Sequence, residues 1–79
     1  MTKNEAINWI ADLFEESPDL ISEDTRREDI IGWDSLGVLN LMAGFDEKFE
    51  ILLTDDELQQ LKGVQDILSI LEKNGKLSD

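Results

Sequence analysis

Residues 34–49 read DSLGVLNLMAGFDEKF, and this stretch decides the predicted fold. It opens on Asp34 and Ser35, two residue types that commonly cap helix N-termini, and its apolar residues then recur at helical intervals. We therefore predict a helix from about Ser35 to Phe49. One apolar stripe, spaced as in an ordinary buried helix face, consists of Val38, Leu41, Met42, Phe45 and Phe49.

The same helix carries a second apolar stripe, which lies about 200° around the helix axis from the first. A bundle of this size can hardly bury both sides of a helix, so the second stripe is either a scatter of surface residues or a contact surface. The acidic residues around it favour a protein-docking surface. The second apolar stripe consists of Leu36, Leu39 and Ala43, and its acidic rim of Asp34, Asp46 and Glu47.

Outside this stretch we predict three further helices, over Lys3–Glu16, about Asp55–Leu61 and Val64–Lys73. The first two begin at capping boxes, in which a threonine is followed three residues later by a glutamate. We expect the first helix to end at Ser17-Pro18, since proline disfavours helix at the residue before it. Residues 17–33 show no periodic pattern and are expected to form an ordered surface loop. The residues expected to tie this loop to the core are Leu20, Ile21 and one of Ile30 or Ile31.

These elements predict an all-α fold that forms a single domain over residues 1–79. The expected architecture is a small four-helix bundle, with three longer helices, one short helix and a long first loop. No two-residue alternation of apolar residues indicates a strand, and no segment repeats another.

Charge and composition exclude several classes of function. The chain has 79 residues, 19 of them acidic and 7 basic, and a formal net charge of −12. This charge repels phosphate backbones and anionic lipid, so we expect basic protein surfaces as partners and neither nucleic acid nor membrane. The chain has no cysteine and no histidine, which excludes disulfides, thiolate metal sites and self-contained Ser-His-Asp catalysis. The acidic clusters lack the spacing of an EF-hand loop, and we predict no metal site.

Nothing in the sequence suggests export or a membrane span. The longest unbroken apolar run is Ile51-Leu52-Leu53, far short of the roughly 20 residues that a membrane helix needs. The polar residues at the start of the chain do not resemble a signal peptide. We therefore expect a soluble, cytoplasmic monomer.

Ser35 has two interpretations from its position. Serine and aspartate at a helix start are common caps, and this alone accounts for the pair. A helix N-terminus also suits an attached phosphate, because unpaired N–H groups and the helix dipole favour negative charge there. Since the chain has no histidine or cysteine to activate Ser35, any chemistry at this hydroxyl requires another protein. Neighbouring Trp33 is expected either to be exposed beside Ser35 or to pack on the end of the bundle.

Gly32-Trp33-Asp34-Ser35-Leu36 resembles the G-x-D-S-L signature of acyl carrier proteins. The resemblance extends along the chain. Phe49 follows the serine by fourteen residues, Asp55-Asp56-Glu57 stands where that family opens its short third helix, and Val64-Gln65 matches the start of its last helix. The acidic composition, the chain length and the long first loop agree as well.

That resemblance implies a carrier and not an enzyme. Ser35 would receive 4′-phosphopantetheine from coenzyme A through a separate phosphopantetheinyl transferase that recognises Asp34, and the terminal thiol would hold acyl groups as thioesters. Acyl-activating enzymes, ketosynthases or acyltransferases with basic surfaces would be the other partners. The residues placed to contact them are Leu36, Leu39, Asn40, Ala43, Asp46 and Glu47. A shelter for the acyl chain between the helices would be lined by Val38, Leu41, Phe45, Leu61, Ile67 and Leu71.

Some residues depart from the family pattern. Asn40 and Gly37 stand where many members have glutamate and aspartate, Thr54 replaces a frequent proline, and Lys48 adds a positive charge to the helix after Ser35. These departures favour a specialised fatty-acid, polyketide or lipid pathway. Two alternatives stay open, namely a peptidyl or D-alanyl carrier with the same cofactor, and a non-carrier acidic interaction module in which Ser35 only caps a helix.

Overall fold

The computed structural model describes residues 1–78, and its helices form a bundle with principal extents of 28 × 26 × 19 Å. Within these residues no strand forms; the only bridge of β type joins Arg26 to Gly63. The predicted all-α fold is therefore confirmed, with three longer helices and one short one. The helices are α1 (Lys3–Leu13), α2 (Ser35–Phe49), α3 (Asp55–Gln60) and α4 (Val64–Lys73), and 3₁₀ turns cover Pro18–Leu20 and Arg27–Asp29 in the first loop.

Local capping explains where α1 and α3 begin. Thr2 and Glu5 form a reciprocal capping box, with N–H···O distances of 2.8 and 3.1 Å, and Thr54 and Glu57 form another, at 3.0 and 3.2 Å. The backbone N–H of Thr2 and then its hydroxyl lower the pKa of Glu5 below its ordinary value of 4.5. Because that pKa is lowered by folding, the stabilisation from Glu5 is complete above pH 4.5 and is lost as the pH falls through the folded-state pKa.

The end of α1 differs from the sequence prediction. The helix stops at Leu13 and not at Glu16, because Glu15 adopts a left-handed conformation with φ of 55°. The backbone N–H of Glu16 donates to the Ala11 carbonyl at 2.9 Å, which closes a Schellman-type turn. Glutamate seldom takes the position that glycine usually fills there, so the sequence carried no signal for this stop. The other three helices end within one residue of their predicted bounds.

The first loop is tied to the core by one residue from each of its two apolar pairs. Ile21 and Ile30 are buried, whereas Leu20 is 71% exposed and Ile31 is 89% exposed. The prediction that Leu20 helps to hold the loop was therefore wrong. Leu20 is the last residue of the first 3₁₀ turn, and Ile21 and Ile30 each follow a 3₁₀ turn with extended backbone. In each apolar pair only one residue faces the core.

The core lies between α1, α2 and α4, with α3 packed over one side through Leu58. Trp9 of α1 meets Phe45 and Phe49 of α2 edge-on, at ring-centroid distances of 5.2 and 5.1 Å, a favourable aromatic geometry. Aliphatic and aromatic side chains fill the centre. The largest fully buried ones are Phe45, Ile10, Leu41, Ile67, Leu71 and Val64.

Three backbone segments touch where α1 ends and α2 begins. A Cβ added at Gly32 would overlap the carbonyl oxygen of Phe14, and one added at Gly37 would overlap the carbonyl oxygen of Gly32. We call this contact of Phe14, Gly32 and Gly37 the glycine junction. It explains Gly37, which the helix pattern left without a role, since only a residue without a side chain allows so close an approach.

Substitution of Gly37 by alanine should therefore destabilise the protein much more than the same change at Gly44 in α2. The new Cβ at position 37 meets rigid backbone, whereas at position 44 it would lie 2.9 Å from the terminal methyl of Leu13, which can move. We expect Gly37→Ala to lower the unfolding free energy by at least about 2 kcal/mol. Gly44→Ala should stay within about 1 kcal/mol of the parent, because improved helix propensity offsets the crowding. Urea unfolding followed by circular dichroism measures both, and equal stabilities for the two variants would contradict the glycine junction.

Candidate functional site

Ser35 is the first residue of α2, and its side chain is exposed. The residue before it, Asp34, is the N-cap: its carboxylate accepts the backbone N–H of Gly37 at 2.9 Å, and its carbonyl accepts that of Val38, also at 2.9 Å. The cap fixes the direction in which α2 starts and leaves the Ser35 hydroxyl at the surface. Gly37, a member of the glycine junction, is thus also the residue whose N–H Asp34 caps beside this hydroxyl.

Trp33 packs on the end of the bundle and is only 6% exposed. Its ring stacks on Phe14 at a centroid distance of 4.8 Å, with 19° between the planes. The guanidinium carbon of Arg27 lies 5.5 Å from the indole centroid, within the range of a cation–π contact. Of the two expectations for Trp33, packing is the one that the structure confirms. Its indole nitrogen is buried and has no hydrogen-bond partner among residues 1–78.

The second apolar stripe lies at the surface, as predicted from the helical spacing. Leu36 is 64% exposed and Leu39 is 55% exposed, and the remaining members of the stripe and its rim are exposed as well. On the opposite side of α2, Leu41 and Phe45 are completely buried. The two leucines therefore form a small exposed apolar patch beside Ser35.

Asn40 has a structural contact that sequence reasoning missed. The residue is half-buried, and its side-chain amide donates to the carbonyl of Leu13 at 3.3 Å. Leu13 is the last residue of α1, where carbonyls lack partners within the helix. Asn40 therefore helps to join α2 to the end of α1, and only part of its side chain is left for contact with other molecules.

A groove runs beside Ser35 between α2, α3 and the first loop. Its volume is about 540 Å³, and we call it the Ser35 groove. One wall of the groove is formed by Arg27. Besides its contact with Trp33, this residue donates from Nη1 to the carbonyl of Leu61 at 3.3 Å, which holds its side chain against the loop after α3. Sequence reasoning did not find Arg27 or Gln59, because each is distant from Ser35 along the chain and has no recognisable motif. The residues that line the groove are Arg27, Asp34, Ser35, Val38, Leu39 and Gln59.

The residues predicted to shelter an acyl chain differ in burial, since one lines the Ser35 groove and the other five lie in the core. Val38 is half-buried and lines the Ser35 groove. The other five, namely Leu41, Phe45, Leu61, Ile67 and Leu71, lie in the hydrophobic core and are at least 95% buried. An acyl chain that entered the bundle from the Ser35 groove would have to separate these packed side chains.

The charge around the second apolar stripe is moderate for so acidic a chain. Along α2 the charged residues are Asp46, Glu47 and Lys48, all exposed. Within residues 1–78 no three acidic side chains are grouped so that they could hold a metal ion. None of the helices described is long and apolar enough to cross a membrane.

An all-α bundle that presents a serine at the start of its second helix, beside an exposed apolar stripe, has the form of a small carrier protein. The chain is 37% identical over 59 residues to the acyl carrier protein of Bdellovibrio bacteriovorus, covering 75% of this chain and 76% of that one. It is 34% identical over 59 residues to that of Campylobacter concisus, covering 75% and 77%. Over almost its full length it is 27% identical to that of Porphyromonas gingivalis, covering 94% and 95%. No protein-family model matches the chain.

The chain belongs to the acyl carrier protein family. Members of this family are carriers without catalytic activity of their own, so the prediction that the chain is not an enzyme agrees with its relatives. The family accounts for the all-α bundle and for the predicted carrier class.

The cap at Asp34 gives a prediction that separates its structural role from any role of its charge. Asp34→Ala removes the acceptor for the Gly37 N–H and should lower the unfolding free energy by about 1 kcal/mol. Asp34→Asn keeps an acceptor oxygen and should stay within about 0.5 kcal/mol of the parent, because asparagine caps as well as aspartate. Urea unfolding tests both variants. A loss of stability with asparagine as large as with alanine would mean that the charge, and not the hydrogen bond, holds the start of α2.

Proposed function

We propose that Ser35 carries 4′-phosphopantetheine and that this chain presents acyl groups, held as thioesters, to the enzymes of an acyl pathway. The observation that carries the proposal is the exposed Ser35 hydroxyl at the first position of α2, in a chain whose relatives are acyl carrier proteins. Those relatives also favour an acyl cargo over an aminoacyl one. When bound, the group supplies a thiol on a flexible tether, which explains how a chain without cysteine can form thioesters.

The site fits such a group. The Ser35 hydroxyl is accessible, and the Ser35 groove offers about 540 Å³ of open space beside it, with both polar and apolar walls. The chain lacks histidine, the most common general base. We therefore expect the phosphopantetheinyl transferase, which would bind coenzyme A, to activate the serine, while this chain positions the hydroxyl. Asp34, exposed beside Ser35, is the acidic residue that we expect the transferase to recognise.

The second apolar stripe and its rim provide the surface for these partners. Leu36, Leu39 and Ala43 would bury apolar area against an enzyme, and Asp46 and Glu47 would meet basic side chains around it. The net charge of −12 speeds the approach of basic surfaces over long distances. A small contact of this kind releases readily, as a carrier needs when it passes from one enzyme to the next.

We also propose that the chain serves a specialised fatty-acid, polyketide or lipid pathway. The support is the composition of α2, in which Gly37 and Asn40 stand where the family resemblance leads us to expect acidic residues and Lys48 adds a positive charge. The structure gives Gly37 and Asn40 internal roles, and these roles leave α2 with fewer charges to offer a partner. Enzymes that select their carrier by acidic contacts along this helix would therefore bind this chain weakly.

Attachment at Ser35 is tested directly by mass. After incubation of the apo protein with coenzyme A, magnesium and a broad-specificity transferase, we expect the intact mass to rise by one phosphopantetheinyl group. Ser35→Ala should abolish this increase. Ser69→Ala removes another exposed serine, on α4, and should leave the modification complete. Modification of the Ser35→Ala variant, or none in the parent, would refute the proposed attachment site.

The second apolar stripe gives a prediction on transfer kinetics. Leu39→Ala should reduce the transferase's kcat/KM for attaching the phosphopantetheine group, here called the arm, by about tenfold. This is the usual effect of losing a central apolar contact at an interface. Leu52→Ala is the matched control, since Leu52 is also an exposed leucine, at 79%, but lies in the loop between α2 and α3. Both changes should alter the unfolding free energy by less than about 0.5 kcal/mol. Equal kinetic effects of the two changes would argue against docking on the stripe.

A further inference from the structure

We propose that Arg27 binds the phosphodiester of the arm on Ser35 and holds the first part of that arm in the Ser35 groove. The inference rests on the proposed attachment at Ser35. It assigns a positioning role to a residue of the first loop that belongs to no recognised motif. The juxtaposition that carries it is a held arginine and the Ser35 side chain on the walls of the same groove.

Arg27 is held in place by neutral groups and not by an acid. Its guanidinium lies over the indole of Trp33, with 5.5 Å between the guanidinium carbon and the ring centroid. One N–H of Nη1 donates to the carbonyl of Leu61 at 3.3 Å. Within residues 1–78 no carboxylate lies within 4 Å of this guanidinium, although the chain has 19 acidic residues. The remaining N–H donors of Arg27 are therefore available to an anion from outside the chain.

The neighbouring arginine shows the contrast. Arg26 is highly exposed and pairs with Glu28 at 3.7 Å, as expected of a surface cation in an acidic protein. It does not line the Ser35 groove. Two arginines adjacent in sequence therefore differ in exposure, in partner and in access to Ser35, and only Arg27 is placed to meet a group on that serine.

Electrostatic attraction favours a contact between the phosphodiester and Arg27. Attachment at Ser35 adds a negative charge beside the Asp34 carboxylate, in a chain whose formal charge is already −12. Arg27 is the cation on the walls of the Ser35 groove. The planar guanidinium can donate two parallel hydrogen bonds to phosphate oxygens, and a side chain already packed against Trp33 loses little rotamer freedom when it does so.

The rest of the groove suits the part of the arm that follows the phosphate. Val38 and Leu39 supply apolar wall, and the exposed Gln59 of α3 supplies an amide that can both donate and accept. The pantothenate portion of the arm contains a dimethyl carbon and amide groups in that order. The groove therefore matches an anion, then an apolar group, then an amide. An arm held in this way would lie between α2 and α3 until a partner enzyme draws it out.

The test uses the holo protein, with one arm per chain first verified by intact mass. The ³¹P NMR signal of the single phosphodiester is compared in the folded protein and in denaturing urea, which gives the value for an arm that is not bound. Arg27→Gln should lower the ratio of bound to unbound arm about fivefold, the effect of one partly exposed ion pair. The ³¹P signal should then move towards its value in urea and become narrower. Arg26→Gln removes the same charge one residue earlier and should match the parent.

The salt dependence of the ³¹P signal is a second measurement in the same experiment. In the parent, raising the ionic strength to about 1 M should shift the ³¹P signal towards its urea value, because salt screens the ion pair. In Arg27→Gln the same salt should have little effect. Since Arg27 also packs on Trp33, the folding of its variant is checked by circular dichroism.

A measurement on the unchanged chain covers the case in which Arg27→Gln does not fold. The guanidinium N–H signals of Arg27 should shift when the apo protein is converted to the holo form, and those of Arg26 should not. The inference is overturned by an unchanged Arg27 signal, by equal ³¹P signals in the parent and Arg27→Gln, or by an equal effect of Arg26→Gln. Failure of the proposed function is distinct, since it appears earlier, as a mass without the arm.

Discussion

The contact of backbone with backbone at Phe14, Gly32 and Gly37 is the constraint on which the functional end of the molecule depends. Because neither glycine position has room for a Cβ, the end of α1, the end of the first loop and the first turn of α2 are held against one another. Trp33, the residue after Gly32, is buried against Phe14, and Asp34 then caps α2. Ser35 then follows at the surface in a fixed orientation. An arm attached at Ser35, as proposed, would therefore start from a point that the glycine junction holds against the rest of the bundle.

The distribution of charge separates two tasks. Most acidic residues lie outside α2 and give the chain a field that attracts basic partners over long distances. Close to Ser35 the surface is different, with two exposed leucines and an arginine held by an indole and a carbonyl. Long-range attraction therefore depends on the charge of the whole chain, while the proposed docking depends on a few residues around one serine.

Much of the fold could be predicted because the signals for it are local. The capping boxes at Thr2 and Thr54 mark helix starts within four residues of sequence, and the spacing of apolar residues gave the length of α2. The end of α1 could not be predicted, because Glu15 takes a conformation that usually signals glycine. Leu20 was misplaced for a related reason: composition marks an apolar residue, but the path of the folded loop decides which of two apolar neighbours faces the core.

Around the candidate site, the sequence was enough to predict the start of α2 at Ser35, its Asp34 cap and its exposed side, since all three follow from residues within one or two helical turns of each other. The distant residues that surround them could be found only from the packing of the whole chain. It brought Arg27 from the first loop and Gln59 from α3 to the same groove, and it gave Asn40 a carbonyl of α1 to bind. Hydrogen bonding and periodicity along a helix are encoded over a few residues. The neighbours across a groove depend on how the whole core packs, and no short segment contains that information.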